Sequence, residues 1–138
     1  MGDIKRKCSV VVGIYLKEGK ILMGRRCEAE SRFANFWEFP GGKIEQGESD
    51  AEALHREFAE EIGCKITEMK HFHSFEWDYP DRIMDLRFYL IRLDCDSIEK
   101  MDLNAHSVLK WFRIEDALTE EVLPANKQIL EKLLNHDN

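Results

Sequence analysis

Apolar positions recur along this chain with two periods. Near the N-terminus the run SVVVGIYL, from Ser9 to Leu16, is β-branched and apolar, and KEGKILMGRR follows it. This predicts two strands joined by a hairpin turn around Gly19, between Lys17 and Lys20. Residues 26–36, RCEAESRFANF, read as a loop. WEF, at 37–39, reads as a short strand stopped by Pro40 and a pair of glycines. The period then changes. Leu54, Phe58 and Ile62 recur every fourth residue and mark one stripe of a helix over about Asp50 to Ile62. Ser49 and Glu52 have the spacing of a capping box, and Gly63 is a natural terminator. Two long strands, ITEMKHFHSFEW and RIMDLRFYLIRL, flank the turn-rich joint DYPDR. A further strand is expected from Val108 to Arg113, then a short turn of helix near Glu115. Pro124 precedes a last amphipathic helix with Ile129, Leu130, Leu133 and Leu134 as its apolar face. Strands alternating irregularly with two helices predict an α/β or α+β sandwich built on a mixed sheet.

Composition limits what such a sandwich does. The 138 residues fit one domain, 1–138, and 43% hydrophobic with 34% charged residues supports a core under a solvated surface. The net charge is −7, from 27 acidic and 20 basic residues. That balance argues against a nucleic-acid polymer as the main partner. A small phosphorylated ligand needs only a few local cations and stays open. The cysteines, Cys8, Cys27, Cys64 and Cys95, form no CxxC pair, so neither a zinc site nor a disulfide framework is expected. Reduced thiols fit an intracellular, cytoplasmic protein. The opening MGDIKRKCSVVVGIYL reads as a first strand, because a glycine interrupts its short apolar run and KEG follows where a cleavage site would stand. Arg6 occupies the place where a myristoylation signal has Ser or Thr. No segment is long enough to span a membrane.

Charge becomes informative on the Asp50–Ile62 helix. Glu57, Glu60 and Glu61 fall three and four residues apart and project close together, at the helix end where the macrodipole disfavours anions. Two carboxylates about 4 Å apart repel by roughly 4 kcal/mol at a surface-like dielectric. A solvated acidic face is one reading. The other is a bound hard dication such as Mg²⁺, which carboxylates hold together with backbone carbonyls, waters and substrate phosphates. Such an ion shields a polyphosphate and helps ionise water. Gly41 and Gly42 let the backbone approach the same point. This reading gives metal-assisted chemistry on a phosphorylated small molecule. His71 and His73 alternate along a strand and are expected on one face, without a zinc pattern around them.

The stretch from Gly42 to Cys64 resembles the Nudix box, G-x5-E-x7-R-E-U-x-E-E-x-G-U with U aliphatic. Gly42, Glu48, Arg56, Glu57, Glu60, Glu61 and Gly63 occupy its fixed positions. Phe58 and Cys64 depart from the aliphatic positions while remaining apolar. The resemblance implies the Nudix fold, an α/β/α sandwich with a mixed β-sheet, and hydrolysis of a nucleoside diphosphate linked to another group. It implies Glu57 and Glu61 as ligands of Mg²⁺, with Mn²⁺ as a substitute, joined by the carbonyl of Gly41 or Gly42. Glu60 becomes a further ligand or the water-activating base. Arg56 orients Glu48 or a helix carboxylate through a charge-assisted hydrogen bond; a plain surface ion pair is its other reading.

WEFPGGKIEQGE, YPDR and LPAN are similar to the MutT branch of that family, the 8-oxo-dGTP diphosphatases, with near relatives acting on CTP and modified pyrimidine triphosphates. By this resemblance Asn126 reads the base edge and Phe39 packs on the base. Asp81 and Arg82 lie beside the base, and Arg25 or Arg26 binds the phosphates. Each has a plainer reading, as a helix start, a core aromatic, a hairpin turn or a solvated strand end. One departure stands out. Relatives often carry a Glu in a pattern like EHxxxxW, and here Ala105 precedes His106 and Trp111. Asp102 could substitute if the loop shifts, and His106 reads as structural. Three functions follow: a triphosphate pyrophosphohydrolase for oxidised purines such as 8-oxo-dGTP, releasing a nucleoside monophosphate and pyrophosphate; a CTP-type or broad-specificity hydrolase; or a non-catalytic nucleotide-binding module. Monomer and homodimer both remain open.

Overall fold

Long β-branched and aromatic runs form the sheet that positions everything else. The computed structural model describes residues 6–26 and 34–135. Cys27 and most of the loop expected over 26–36 lie outside the described residues. The strands are β1 (Arg6–Lys17), β2 (Lys20–Arg26), β3 (Trp37–Glu38), β4 (Gly41–Lys43), β5 (Ile66–Asp78), β6 (Arg82–Leu93) and β7 (His106–Arg113). The helices are α1 (Asp50–Glu61), α2 (Ile114–Ala117) and α3 (Pro124–Leu134), with a 3-10 turn at Ile98–Lys100 that the sequence pattern did not announce. The strand order is β3-β2-β1-β6-β5, with β4 on β1 and β7 on β2. β1 and β6 pair in parallel from Arg6↔Arg82 to Tyr15↔Ile91, and the other strand pairs are antiparallel. The sheet is therefore mixed, as expected, and helices lie on both faces.

Alternation along the strands divides the core in two. Val12, Ile14, Ile21, Met23, Leu86, Phe88 and Phe112 face α2 and α3. Val11, Tyr15, Leu22, Ile91 and Leu93 face α1, which buries Leu54, Phe58 and Ile62 there. Fully burying a side chain such as Phe58 contributes about 1.5–3 kcal/mol. The ring lies against Gly13, where a Cβ would sit 2.6 Å from it; an aromatic is thus accommodated at a box position that is usually aliphatic.

Three expectations change. Gly41 and Gly42 do not end the chain's extended course: they form β4, in register with Val12 and Val11. The pair reads as a strand stop because glycine so often marks one; here it is absence of side chain that matters, since a Cβ at Gly41 would overlap the Val11 carbonyl. Leu134, expected on the apolar face of the last helix, is 48% exposed, one position beyond the buried Leu133. His71 and His73 part company because a β-bulge lies between them. His71 stacks edge-on against Tyr89, and His73 lies against Phe75. The extra residue breaks the two-residue alternation.

Candidate active site

The site begins where α1 begins. Ser49 Oγ accepts the Glu52 N–H at 3.1 Å and Glu52 Oε1 accepts the Ser49 N–H at 2.9 Å, completing the capping box. Asp50, in the first turn, takes Arg87 Nη1 at 2.5 Å and the Tyr89 hydroxyl, so β6 anchors the helix start. At the other end Gly63 has φ +77°, a left-handed conformation that costs glycine little. Residues 102–104 close over this end. The Asp102 N–H donates to the Ile62 carbonyl at 2.8 Å, and Asn104 Nδ2 donates to the Glu60 carbonyl at 2.8 Å. The Asp102 side chain lies against Gly63. Asp102 is thus placed at the helix C-terminus.

Arg56 holds both partners that the sequence offered it. Its Nε and Nη2 donate to the two oxygens of Glu48 at 2.6 and 2.9 Å, and Nη2 also donates to the Lys43 carbonyl at 3.0 Å. Nη1 reaches Glu57 Oε2 at 3.1 Å and Glu60 Oε1 at 3.4 Å. A bidentate guanidinium fixes direction as well as charge. The hydrogen bonds from Arg56, with the Glu45 N–H, hold the Glu48 carboxyl down at about 2. The Glu60 side chain is 61% exposed at the rim.

Glu57 and Glu61 form the inner pair. Burial pushes the Glu61 carboxyl up to about 9; the hydrogen bond and charge of Glu57 and the charge of Glu38 add to this, while the Gly41 N–H opposes it. A cation bound beside Glu61 would oppose that shift and favour its charged form. Glu57 occupies the space that a side chain at residue 42 would need: a Cβ on Gly42 would overlap its carboxyl group. The donors are all oxygen, which suits a hard divalent ion. Among the described residues no group of three His, Cys, Asp or Glu side chains is gathered for a metal. The fit is therefore two carboxylates with adjacent backbone, leaving positions that Mg²⁺-type ions ordinarily fill with water and phosphate oxygens.

The segment 37–43 connects this pair to the opposite face. Trp37 and Phe39 are buried in the α3-side core, while Glu38 points toward the carboxylates. Glu38 Oε2 lies 2.9 Å from His106 Nε2, and Glu38 Oε1 lies 3.6 Å from Arg26 Nη1. His106 is 2% exposed, and its ring fills the space over Gly24. Sequence reasoning passed over Glu38; alternation within Trp37–Phe39 was the available signal. Arg25 follows Ile21 and Met23 toward the α3 side, and Arg26 turns to Glu38.

On the α3 side Asn126 is 7% exposed, and its Oδ1 accepts the Phe39 N–H at 2.8 Å. Beside this core lie the partly buried Val10, Phe75, Trp77 and Met84, an apolar shelf that the sequence reading missed. Arg82 is half-buried and Asp81 exposed at the β5–β6 joint, where the Tyr79 N–H donates to the Arg82 carbonyl at 2.8 Å. Among the described residues, Arg25 Nε and Arg82 Nε are buried without a hydrogen-bond partner.

A helix presenting carboxylates beside a glycine strand, against a mixed sheet, defines the class. The NUDIX domain family model matches residues 5–133, and the chain belongs to that family; it is a Nudix hydrolase. Such hydrolases generally use a divalent metal. It is 39% identical over 132 residues to the 8-oxo-dGTP diphosphatase of Haemophilus influenzae, covering 95% of this chain and 94% of that protein. It is 34% identical over 125 residues to the CTP pyrophosphohydrolase of Escherichia coli, covering 91% and 90%. The solution structure of the E. coli ORF135 protein superposes with a TM-score of 0.82 at 31% identity, covering 97% of this chain and 94% of that one. Among the described residues no helix is long and apolar enough to cross a membrane.

Proposed function

We propose that this chain is a nucleoside triphosphate pyrophosphohydrolase that releases a nucleoside monophosphate and pyrophosphate, with oxidised purine nucleotides such as 8-oxo-dGTP as preferred substrates. The contact between Glu57 and Glu61 beside Gly42 carries this reading, because a partly buried carboxylate pair invites a cation. Glu57, Glu61 and the backbone of Gly41 and Gly42 would hold Mg²⁺, with Mn²⁺ as a substitute. Bound there, the ion supplies charge that stabilises a polyphosphate and its leaving group.

The chain's own residues do the rest. Arg56 keeps Glu48 and Glu57 in fixed directions, so little reorganisation accompanies reaction. Glu60 is a further ligand or takes a proton from the attacking water. Arg25, Arg82 and Arg26 are the candidate phosphate-binding cations, the first two supported by their unpartnered Nε atoms. The Phe75–Trp77 shelf offers apolar surface to a base, beside the core in which Phe39 is buried. Asn126 offers its NH2 group, since its oxygen is taken by Phe39; Asp81 stands at the rim. A single domain, 1–138, acting on a small nucleotide in the cytoplasm fits this reading.

Steady-state hydrolysis with Mg²⁺ across 8-oxo-dGTP, dGTP, CTP, 5-methyl-dCTP and ADP-ribose tests it, scoring pyrophosphate against phosphate. The expected result is a kcat/KM for 8-oxo-dGTP far above that for dGTP, with pyrophosphate as product. A pyrimidine as best substrate would replace the purine assignment with a CTP-type one. No turnover of any of them would favour a nucleotide-binding module and make Ala105 the first position to restore to Glu.

A further inference from the structure

Directly after the left-handed Gly63, the chain leaves α1 and runs antiparallel to the end of β6. Ile66 pairs with Leu93, and the Asp94 N–H donates to the Lys65 carbonyl at 2.9 Å. Extending that register by one residue sets Cys64 opposite Cys95. The Asp94 N–H bond to Lys65 is the backbone half of a hydrogen-bonded pair, the Lys65 N–H donating instead to the Asp94 side chain at 3.1 Å, so the cysteines occupy the adjacent non-hydrogen-bonded position. Opposed Cα atoms there lie about 4.5 Å apart, within the range of roughly 4.4–6.8 Å that a disulfide spans. The two side chains pack in one apolar cluster, and each thiol donates to a nearby backbone carbonyl, Cys64 Sγ to Ile62 at 3.9 Å and Cys95 Sγ to Ser97 at 3.6 Å. Both are free thiols, Cys64 buried and Cys95 half-buried.

We propose that Cys64 and Cys95 form a redox-active dithiol, a modification site that hydroperoxides oxidise to a reversible disulfide stapling the end of α1 to β6. The more accessible Cys95 reacts first. With hydrogen peroxide as the oxidant, its sulfur attacks one oxygen, an S–O bond forms, the O–O bond breaks, and the departing hydroxide takes the thiol proton to leave as water. Cys64 then attacks the Cys95 sulfur; the S–S bond forms, the S–O bond breaks, and the departing hydroxyl takes the Cys64 proton to leave as a second water. Two thiols are oxidised and one hydroperoxide is reduced. A dithiol reductant reverses the change. Burial raises the Cys64 thiol to about 11, which suits the resolving partner better than the first attacker. The cysteines already face each other, so α1 and its carboxylates keep their place when the bond forms.

The test uses the full chain, reduced and then exposed to a few equivalents of hydrogen peroxide, alkylated and digested. Mass spectrometry should find the Cys64 peptide joined to the Cys95 peptide, with the link lost after dithiothreitol. The oxidised protein should melt several degrees higher than the reduced one, as a cross-link restrains the unfolded chain, and should keep its hydrolysis rate within about twofold. Cys95→Ser should show neither link nor melting shift. Cys64→Ser, if it folds, should accumulate a dimedone-reactive sulfenic acid at Cys95. Links that instead join Cys8 or Cys27, or separately alkylated Cys64 and Cys95 after oxidant, would overturn the proposal. So would a linked protein that melts lower than the reduced form.

Discussion

Replacing Asn126 by Asp separates the hydrogen bond that this side chain makes in the fold from the base-reading role proposed for it. Asn126 is 7% exposed, and its Oδ1 accepts the Phe39 N–H at 2.8 Å. Asn126→Ala removes that acceptor and leaves a buried N–H unpaired, at a cost of about 1–3 kcal/mol in stability. Asn126→Asp keeps an oxygen for Phe39 but exchanges the amide NH2 for a second oxygen, which cannot donate to a base carbonyl. A lost donor in a buried site costs about 1.4–2.7 kcal/mol of discrimination, or roughly ten- to a hundredfold. The assay pairs urea unfolding with the ratio of kcat/KM for 8-oxo-dGTP over dGTP. The Asp variant should unfold no earlier than the Ala variant yet lose the preference. Preserved selectivity in the Asp variant, or an equal fall on every nucleotide, would refute a reading role for the amide.

Other perturbations probe the carboxylate end. Glu57→Gln should lower kcat at least about a hundredfold with an unchanged circular dichroism spectrum; an unaltered rate would remove it from the metal site. Glu61, held protonated up to about 9, stabilises the metal-free fold fully below its unfolded pKa, and that contribution is lost as pH rises toward 9. In chelator, Glu61→Gln should therefore melt above wild type by a margin that widens from pH 5 to pH 9, and Mg²⁺ should stabilise wild type alone. Glu48 has the opposite sign: its carboxyl is held at about 2, so its contribution is present above its unfolded pKa and is lost as pH falls toward 2. Acid titration of Glu48→Gln should show a shallower loss of stability than wild type over that range. Gly42→Ala would push a methyl into the Glu57 carboxyl group. Overpacking of this kind costs about 1–3 kcal/mol, expected here as weakened Mg²⁺ affinity in a calorimetric titration.

The sequence by itself determined what depends on short separations. The Ser49–Glu52 cap, the stripe of Leu54, Phe58 and Ile62, and the Gly63 terminator are set by contacts within one or two helical turns, so α1 was legible together with its acidic face. The Arg56–Glu48 clasp, eight residues apart, was implied by the resemblance to the Nudix box, which left a helix carboxylate as the other partner. Tertiary structure alone decided what depends on strand register. Glu38 meets His106 across 68 residues, and Phe39 meets Asn126 across 87. Such pairs are chosen by which strand lies beside which. A bulge of one residue, as between His71 and His73, reverses the faces on which side chains stand. The division of Arg25 from Arg26, the extended path of Gly41 and Gly42, and the facing of Cys64 and Cys95 all follow from that register. Side-chain periodicity along a strand leaves its partner unspecified, because the hydrogen bonds that select the partner are made to distant segments of chain.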